Sequence, residues 1–249
     1  MALMMAQSKI SPLVIDRLWM TFGAKRELNI SADQRRGALL ILSMFAQSKP
    51  EIIGERIDVL LTFGLGSFAK DDLMLAKHAC VALQQLVGKG KKKKGSLMET
   101  YKRFSLGHPV CKRLFDLILE PSNSKHWFCF AEQAIGSVYL LSEHPDVICG
   151  EIIQKFIARV FQESAVVNQP PVQMETQIDE TMETNSFTEI AVPSIKDISA
   201  CDPLEFSKLL FVVGHVSIKQ MVHLENIESE WKRRKAQSTF ICPCEEYGY

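Results

Sequence analysis

Aromatic residues are scarce in this chain, at 8% of 249, while Leu, Ile, Ala and Met dominate its apolar 47%. That balance favours helices over sheets. Long apolar runs are missing too: none approaches the ~18–20 residues that a membrane-spanning helix needs. The opening MALMMAQSKI is too polar after Ala6 to read as a secretory signal. Cysteine is sparse and odd in number, at seven, with no framework spacing. Four of the seven (Cys80, Cys111, Cys129 and Cys149) sit in apolar helical runs, so reduced thiols in an intracellular protein are expected. Net charge is absent, with 29 basic and 29 acidic residues. Any electrostatic partner must therefore be read from the distribution of charge, not its total.

Catalytic signatures are missing as well. The chain has no G-x-x-x-x-G-K-[ST], no G-x-G-x-x-G after a strand, no G-x-S-x-G and no H-E-x-x-H. Paired carboxylates occur only in a segment with no periodicity to fix their separation. Cys242-Pro243-Cys244 supplies two thiols, but no second Cys/His pair lies nearby to complete four zinc ligands. No enzyme, cofactor, metal or small-molecule substrate is expected.

What is present is a repeat. GALLILSMFAQSKPEIIGERIDVLLTFGL (residues 37–65) and QAIGSVYLLSEHPDVICGEIIQKFIARVF (residues 133–161) share a helix–proline–helix grammar. Pro50 aligns with Pro145, Glu51 with Asp146, Ile52 with Val147 and Ile53 with Ile148, at an offset of 95 residues. Half of that is close to the ~40–47 residue period of HEAT and armadillo repeats, leaving room for one degenerate unit between the copies. The proline has a local cause: at the first helical position its missing N–H has no intrahelical acceptor to lose. The acid after it meets the positive end of the helix dipole.

Around these copies, Ser31-Ala32-Asp33-Gln34 reads as a capping box opening a helix to about Ala46. Its wide apolar face holds Leu39, Leu40, Leu42, Met44 and Phe45. Asp71–Val87 reads as a helix with Leu73, Ala76, Cys80, Leu83 and Val87 on one stripe. Helical pattern resumes at Val110–Leu119 and from Trp127. Residues 167–201 hold acids, prolines and a single base, Lys196, which reads as an acidic disordered linker. Asp202-Pro203-Leu204-Glu205 then restarts order as N-cap, N1 proline and an early acid. The helix that follows carries Phe206, Leu210, Val213, Met221, Leu224, Ile227 and Trp231 at helical spacing, to about Arg234. The expected organisation is helical repeats over 1–166 with a basic loop at 88–109, a linker at 167–201, a long helix over 202–237 and an atypical tail at 238–249.

The basic loop carries the sharpest charge feature: Lys89, Lys91, Lys92, Lys93 and Lys94, followed by Lys102 and Arg103. Between Val87 and Lys125 there are ten bases against Glu99, Asp116 and Glu120. Three readings stay open. The lysines contact DNA phosphates and release counterions, they form a nuclear-localisation signal, or they keep an insertion solvated. No aromatic interleaving points to base stacking, so any nucleic-acid contact is sequence-independent. His215 and His223 on the last helix read as half-exposed histidines rather than partner contacts.

That last helix carries a more specific signal. In LLFVVGHVSIKQMVHLENIESEWKRR (residues 209–234), the residues Val212, Gly214, Val216, Ser217, Ile218, Lys219, Gln220, Met221, Val222, His223, Leu224 and Glu225 form a pattern. It resembles the V-x-G-x-V-[AS]-[IL]-[KQ]-Q-[LM]-V-H-L-E segment of the condensin complex subunit 1 family, the HEAT-repeat non-SMC regulatory subunits of condensin. The Pro50 and Pro145 segments resemble that family's repeats in the same order. The resemblance implies an all-α HEAT/armadillo-like solenoid, here an internal slice of a chain several times longer. It also implies a non-catalytic scaffold that joins the condensin kleisin and SMC subunits, touches double-stranded DNA and chromatin, and supports mitotic chromosome condensation. The expected location is the nucleus and chromosomes, with room for a cytoplasmic pool and no membrane association. The alternative is a HEAT-repeat protein-binding adaptor for transport or assembly with no DNA contact.

Overall fold

A computed structural model describes residues 11–24, 29–87, 103–166 and 202–239. The 167–201 segment, Lys89, Lys91–Lys94, Lys102 and the Cys242-Pro243-Cys244 triplet lie outside the described residues. Seven helices of eleven residues or more carry the architecture. They are α1 (Pro12–Phe22), α2 (Ala32–Ala46), α3 (Leu73–Gln84), α4 (Pro109–Leu119), α5 (His126–Leu141), α6 (Pro145–Val166) and α7 (Pro203–Thr239). Among the described residues there is no strand, only a single parallel bridge between Phe104 and Ser142. No described helix is long and apolar enough to cross a membrane.

The helices form two rows. α1 packs on α2, α2 on α3, α3 on α5, and α5 on α7, giving one continuous row. α4 and α6 pack on each other in the second row, with the broken segment between residues 51 and 64 meeting α4. From α2 onward the chain order alternates between rows, so residues 32–64, 73–119 and 126–166 are three helix-pair units of an all-α repeat solenoid, and α7 opens a fourth. The middle unit, α3 with α4, is the degenerate one that the 95-residue offset left room for. The long-range contacts between rows bury one continuous core, from Trp19 and Phe22 through Leu39, Leu83 and Trp127 to Phe156 and Val212.

Local chemistry explains where most elements begin. Ser31 Oγ accepts from Gln34 N at 3.1 Å and Ser31 N donates to Gln34 Oε1 at 3.0 Å, closing the capping box of α2. The Asp72 carboxylate accepts from Met74 N and Leu75 N and caps α3. His108 Nδ1 accepts from Val110 N ahead of Pro109, and Asp202 Oδ1 accepts from Leu204 N ahead of Pro203. Each satisfies an N–H that the first helical turn leaves without a partner.

Two expectations are modified. The buried face of α2 is Ala38, Leu39, Leu42, Ser43 and Ala46, with Leu40 and Met44 turned to solvent. The i, i+4, i+8 positions face α1 and α3, and residues 40 and 44 fall outside that arc. Pro50 begins only a four-residue helix, Glu51–Gly54, followed by short turns at Ile57–Val59 and Ser67–Asp71 around a π-helical stretch at Leu60–Gly64. Its counterpart Pro145 opens a continuous 22-residue helix. The break falls at Arg56, whose backbone leaves helical geometry (φ −130°, ψ 35°) while its guanidinium reaches Asp16 on α1 at 2.8 Å. In the second copy Glu151 stands at the place of Arg56 and Ile153 at that of Asp58, and the helix runs on.

The π-helical turn brings two backbones together at Gly64, where an added Cβ would lie 2.8 Å from Ala79 Cβ on α3. Gly37, mid-α2, has nothing within 4 Å of that position. Gly64→Ala is therefore expected to destabilise the fold by about 1–3 kcal/mol through overpacking. Gly37→Ala is expected to stabilise it by about 0.5–1 kcal/mol. Urea unfolding of both variants checks the pair, and equal shifts would contradict this packing.

Candidate interaction surfaces

The surface worth building residue by residue is α7, because its two sides do different things. Its first turns are held from below by charge. Lys208 is almost wholly buried, and its ammonium donates to Ser122 O at 2.6 Å and to Glu205 Oε1 at 2.5 Å. The Arg159 guanidinium on α6 donates to Glu205 Oε2 at 3.3 Å and to Leu119 O at 2.7 Å. Two cations thus flank one carboxylate, and each also satisfies a carbonyl at or just beyond the C-terminal end of α4, where the helix dipole favours positive charge. Lys208 Nζ also sits 5.5 Å from the Trp127 ring centroid, within cation–π range.

Further along, the inward side of α7 is the family-like pattern itself. Val212 is fully buried, Val216, Gln220 and His223 are half-buried, and the four recur every three or four residues on one stripe. Gln220 Oε1 accepts from Tyr139 Oη on α5 at 2.8 Å. His223 meets the same tyrosine ring edge-on at 5.8 Å. Gln220 and His223 of the pattern thus dock onto Tyr139, while Ser217 and Glu225 are exposed. Cys149 on α6 lies behind that tyrosine. Burial pushes the Cys149 thiol up to about 12, and the Tyr139 hydroxyl is raised mainly by the same cause. Cys80 is likewise pushed up to about 12 by burial. These thiols behave as small core hydrophobes, while Cys129 is exposed.

The outward side of α7 carries Gly214, Val222, Leu224 and Glu225 of the same pattern, all exposed. Around them, Ile218, Met221, Ile227 and Trp231 are each more than half exposed. The apolar positions read in sequence as one helical stripe, Leu210 to Trp231, therefore lie largely on the solvent side. The core side is taken by Leu209 and Val212. A helix apolar on both sides suits a position between two neighbours. That signal was present in the sequence, since Leu209, Val212 and Val216 interleave with the exposed set.

The basic loop is represented among the described residues by Arg103 and the turn after it. Phe104 N donates to Leu141 O at 2.7 Å, and Glu143 N donates to Phe104 O at 3.0 Å, fixing the return of the loop onto the end of α5. Arg103 is half-buried and reaches Ser142 O at 3.5 Å. The other loop cations, Lys89, Lys91, Lys92, Lys93, Lys94 and Lys102, fall outside the described residues. A separate cleft of about 450 Å³ between the N-terminal ends of α2 and α3 is lined by Ile30, Arg35, Arg36, Phe68, Asp72 and Leu75, among others. It shares no residue with either surface.

Four histidines, His78, His108, His215 and His223, have pKa values lowered first by burial. Below the ordinary value near 6.5 the unfolded chain binds more protons than the folded one, so stability falls as pH drops. The urea midpoint is expected to decline between neutral pH and about pH 5.5. A midpoint that rises over that window would contradict the burial of these rings.

Comparison with known proteins places the chain among one set of relatives. It is 33% identical over 238 residues to condensin complex subunit 1 of Schizosaccharomyces pombe, a match covering 96% of this chain and 19% of that protein. It is 29% identical over 240 residues to the Arabidopsis thaliana condensin-1 complex subunit CAP-D2, covering 94% of this chain and 15% of the relative. The human condensin complex subunit 1 is 26% identical over 239 residues, covering 92% and 15%. The chain thus spans less than a fifth of the length of these relatives. No family model matches it.

Proposed function

The chain belongs to the condensin complex subunit 1 family, and from that premise we propose that it is a non-catalytic scaffold within condensin. Its work is to associate with the kleisin and SMC subunits and to support mitotic chromosome condensation in the nucleus and on chromosomes. The observation that carries this reading is the relatedness to condensin subunits along 91–96% of the chain, in organisms as distant as yeast, plant and mammal. The repeat architecture supports it, because stacked helix pairs expose long ridges that bind protein partners without chemistry.

DNA contact is the second part of the proposal, through Lys89, Lys91, Lys92, Lys93, Lys94, Lys102 and Arg103. Ten bases against three acids between Val87 and Lys125 make this a strongly cationic stretch in a chain whose total charge is zero. Lysines in such a run bind phosphates by counterion release and read no sequence. Phe104 and His108, just downstream, are stacked on each other with ring centroids 3.9 Å apart and are engaged together.

The test is a duplex-DNA titration of the whole chain at two salt concentrations, alongside capture of the kleisin and SMC subunits. Replacing Lys91–Lys94 by alanine is expected to weaken DNA binding and to flatten the salt dependence by roughly 0.9 per lost phosphate contact. Kleisin capture is expected to be unchanged by that substitution. An unaltered salt slope would remove the DNA role and leave a protein-only adaptor. Loss of capture by the folded wild-type chain would remove the scaffold role.

A further inference from the structure

The return of the basic loop carries a second signal besides its charge. In Lys102-Arg103-Phe104-Ser105-Leu106, cations stand three and two residues before a serine, and an aliphatic residue follows it directly. Arginine-directed serine kinases read this order. Acidic groups in the kinase's substrate groove pair with the cations, and an apolar pocket takes the residue after the serine. The order recurs without an arginine at Lys93-Lys94-Gly95-Ser96-Leu97, outside the described residues.

The fold presents Ser105 for such a reaction. Phe104 N donates to Leu141 O and Phe104 O accepts from Glu143 N, which holds this residue extended against the turn between α5 and α6. An extended residue sends the side chains of its two neighbours to the same side. Arg103 and Ser105 therefore leave the chain together, while the Phe104 ring packs against the core and stacks on His108. Arg103 is only partly covered, and its bond to Ser142 O is long at 3.5 Å. Ser105 is exposed, Leu106 is 42% exposed, and a Cβ added at Gly107 would meet nothing within 4 Å. Other serines commit their hydroxyls to helices. Ser31 Oγ caps α2, and Ser43, Ser207 and Ser217 donate to carbonyls three or four residues back. The Ser105 hydroxyl makes no such bond among the described residues.

We propose that Ser105 is a phosphorylation site for an arginine-directed serine kinase, and that its phosphate weakens DNA contact by the adjoining basic stretch. The second half rests on the DNA contact proposed for the loop. In the transfer, Ser105 Oγ attacks the γ-phosphorus of ATP and the bond from that phosphorus to the β,γ-bridging oxygen breaks. ADP leaves, and the hydroxyl proton passes to the kinase's catalytic aspartate. The product carries close to two negative charges at neutral pH. They stand, in sequence, between the loop cations and Lys112 and Arg113, which are exposed on α4. The phosphate competes with the DNA backbone for these cations and repels the duplex directly. It lies in an exposed turn, so the helices keep their packing.

The experiment treats the full 249-residue chain with magnesium-ATP and the catalytic subunit of cyclic-AMP-dependent protein kinase as the probe. Phosphate is mapped by mass spectrometry, and both forms are titrated with duplex DNA at two salt concentrations. Phosphate is expected on Ser105, at a rate roughly tenfold lower in Arg103→Ala, where a charge-assisted pairing with the kinase is lost. The phosphorylated chain is expected to bind DNA about three- to tenfold more weakly at low salt, with a flatter salt slope. Ser105→Ala, treated alike, is expected to keep the unmodified affinity, and circular dichroism to stay unchanged throughout. Phosphate on Ser96 alone, or on neither serine, overturns the proposal. So does an equal loss of affinity in treated Ser105→Ala, which would assign the effect to another residue. Phosphate on Ser105 with unaltered affinity overturns the switch and leaves the DNA contact standing. An unmodified chain that fails to bind duplex removes the DNA contact and the switch with it, while the mapped phosphate still decides the site.

Discussion

The buried ammonium of Lys208 is the interaction on which the placement of α7 depends. It lies in the core beside Trp127, tied to a carbonyl just past α4 and to Glu205 one turn earlier on its own helix. Glu205 in turn holds Arg159 of α6. A lysine taken out of water is tolerated only where its hydrogen bonds are replaced, and here a carboxylate and a main-chain oxygen replace them. The charge therefore adds little net stability over an apolar residue, but it admits few alternative positions for the helix. Sliding α7 by one turn would carry Lys208 away from Ser122 O and Glu205 away from Arg159. Register is what the clasp contributes.

With register set, the rest of α7 follows. Val212 and Val216 enter the core, Gln220 and His223 meet Tyr139, and the helix then leaves the body with its outer face open. That division ties the fold to the proposed roles. The inward stripe completes the third helix pair, and the outward stripe and the basic loop remain for partners. A scaffold needs this separation, because a residue committed to the core cannot also be remade for binding.

Much of the fold was legible because it is written locally. The capping box at Ser31, the Asp202 cap, and the prolines at residues 145 and 203 each act within one turn of where they stand. The repeat was legible from the Pro50 and Pro145 copies, since aligned helix pairs need aligned punctuation. What escaped depends on distance. Arg56 breaks the helix after Pro50 while its side chain pairs with Asp16 on another element, and nothing near Arg56 announces that partner. The clasp joins residues 122, 159, 205 and 208, whose meeting is a product of the stack rather than of any spacing. The two-faced character of α7 was half visible: the stripe was seen, but periodicity alone does not say which of two apolar stripes meets the body. The loop cations were read as a site from composition, and of them only Arg103 falls among the described residues, where it reaches Ser142 O.

The clasp can be tested directly with a double-mutant cycle on Glu205→Gln and Lys208→Met, each followed by urea unfolding of the whole chain. If the carboxylate and the ammonium act as one buried unit, the double variant should be less destabilised than the sum of the singles, with a coupling energy of about 0.5–3 kcal/mol. Effects that simply add would show that Lys208 and Glu205 act independently and would contradict the clasp as one buried unit.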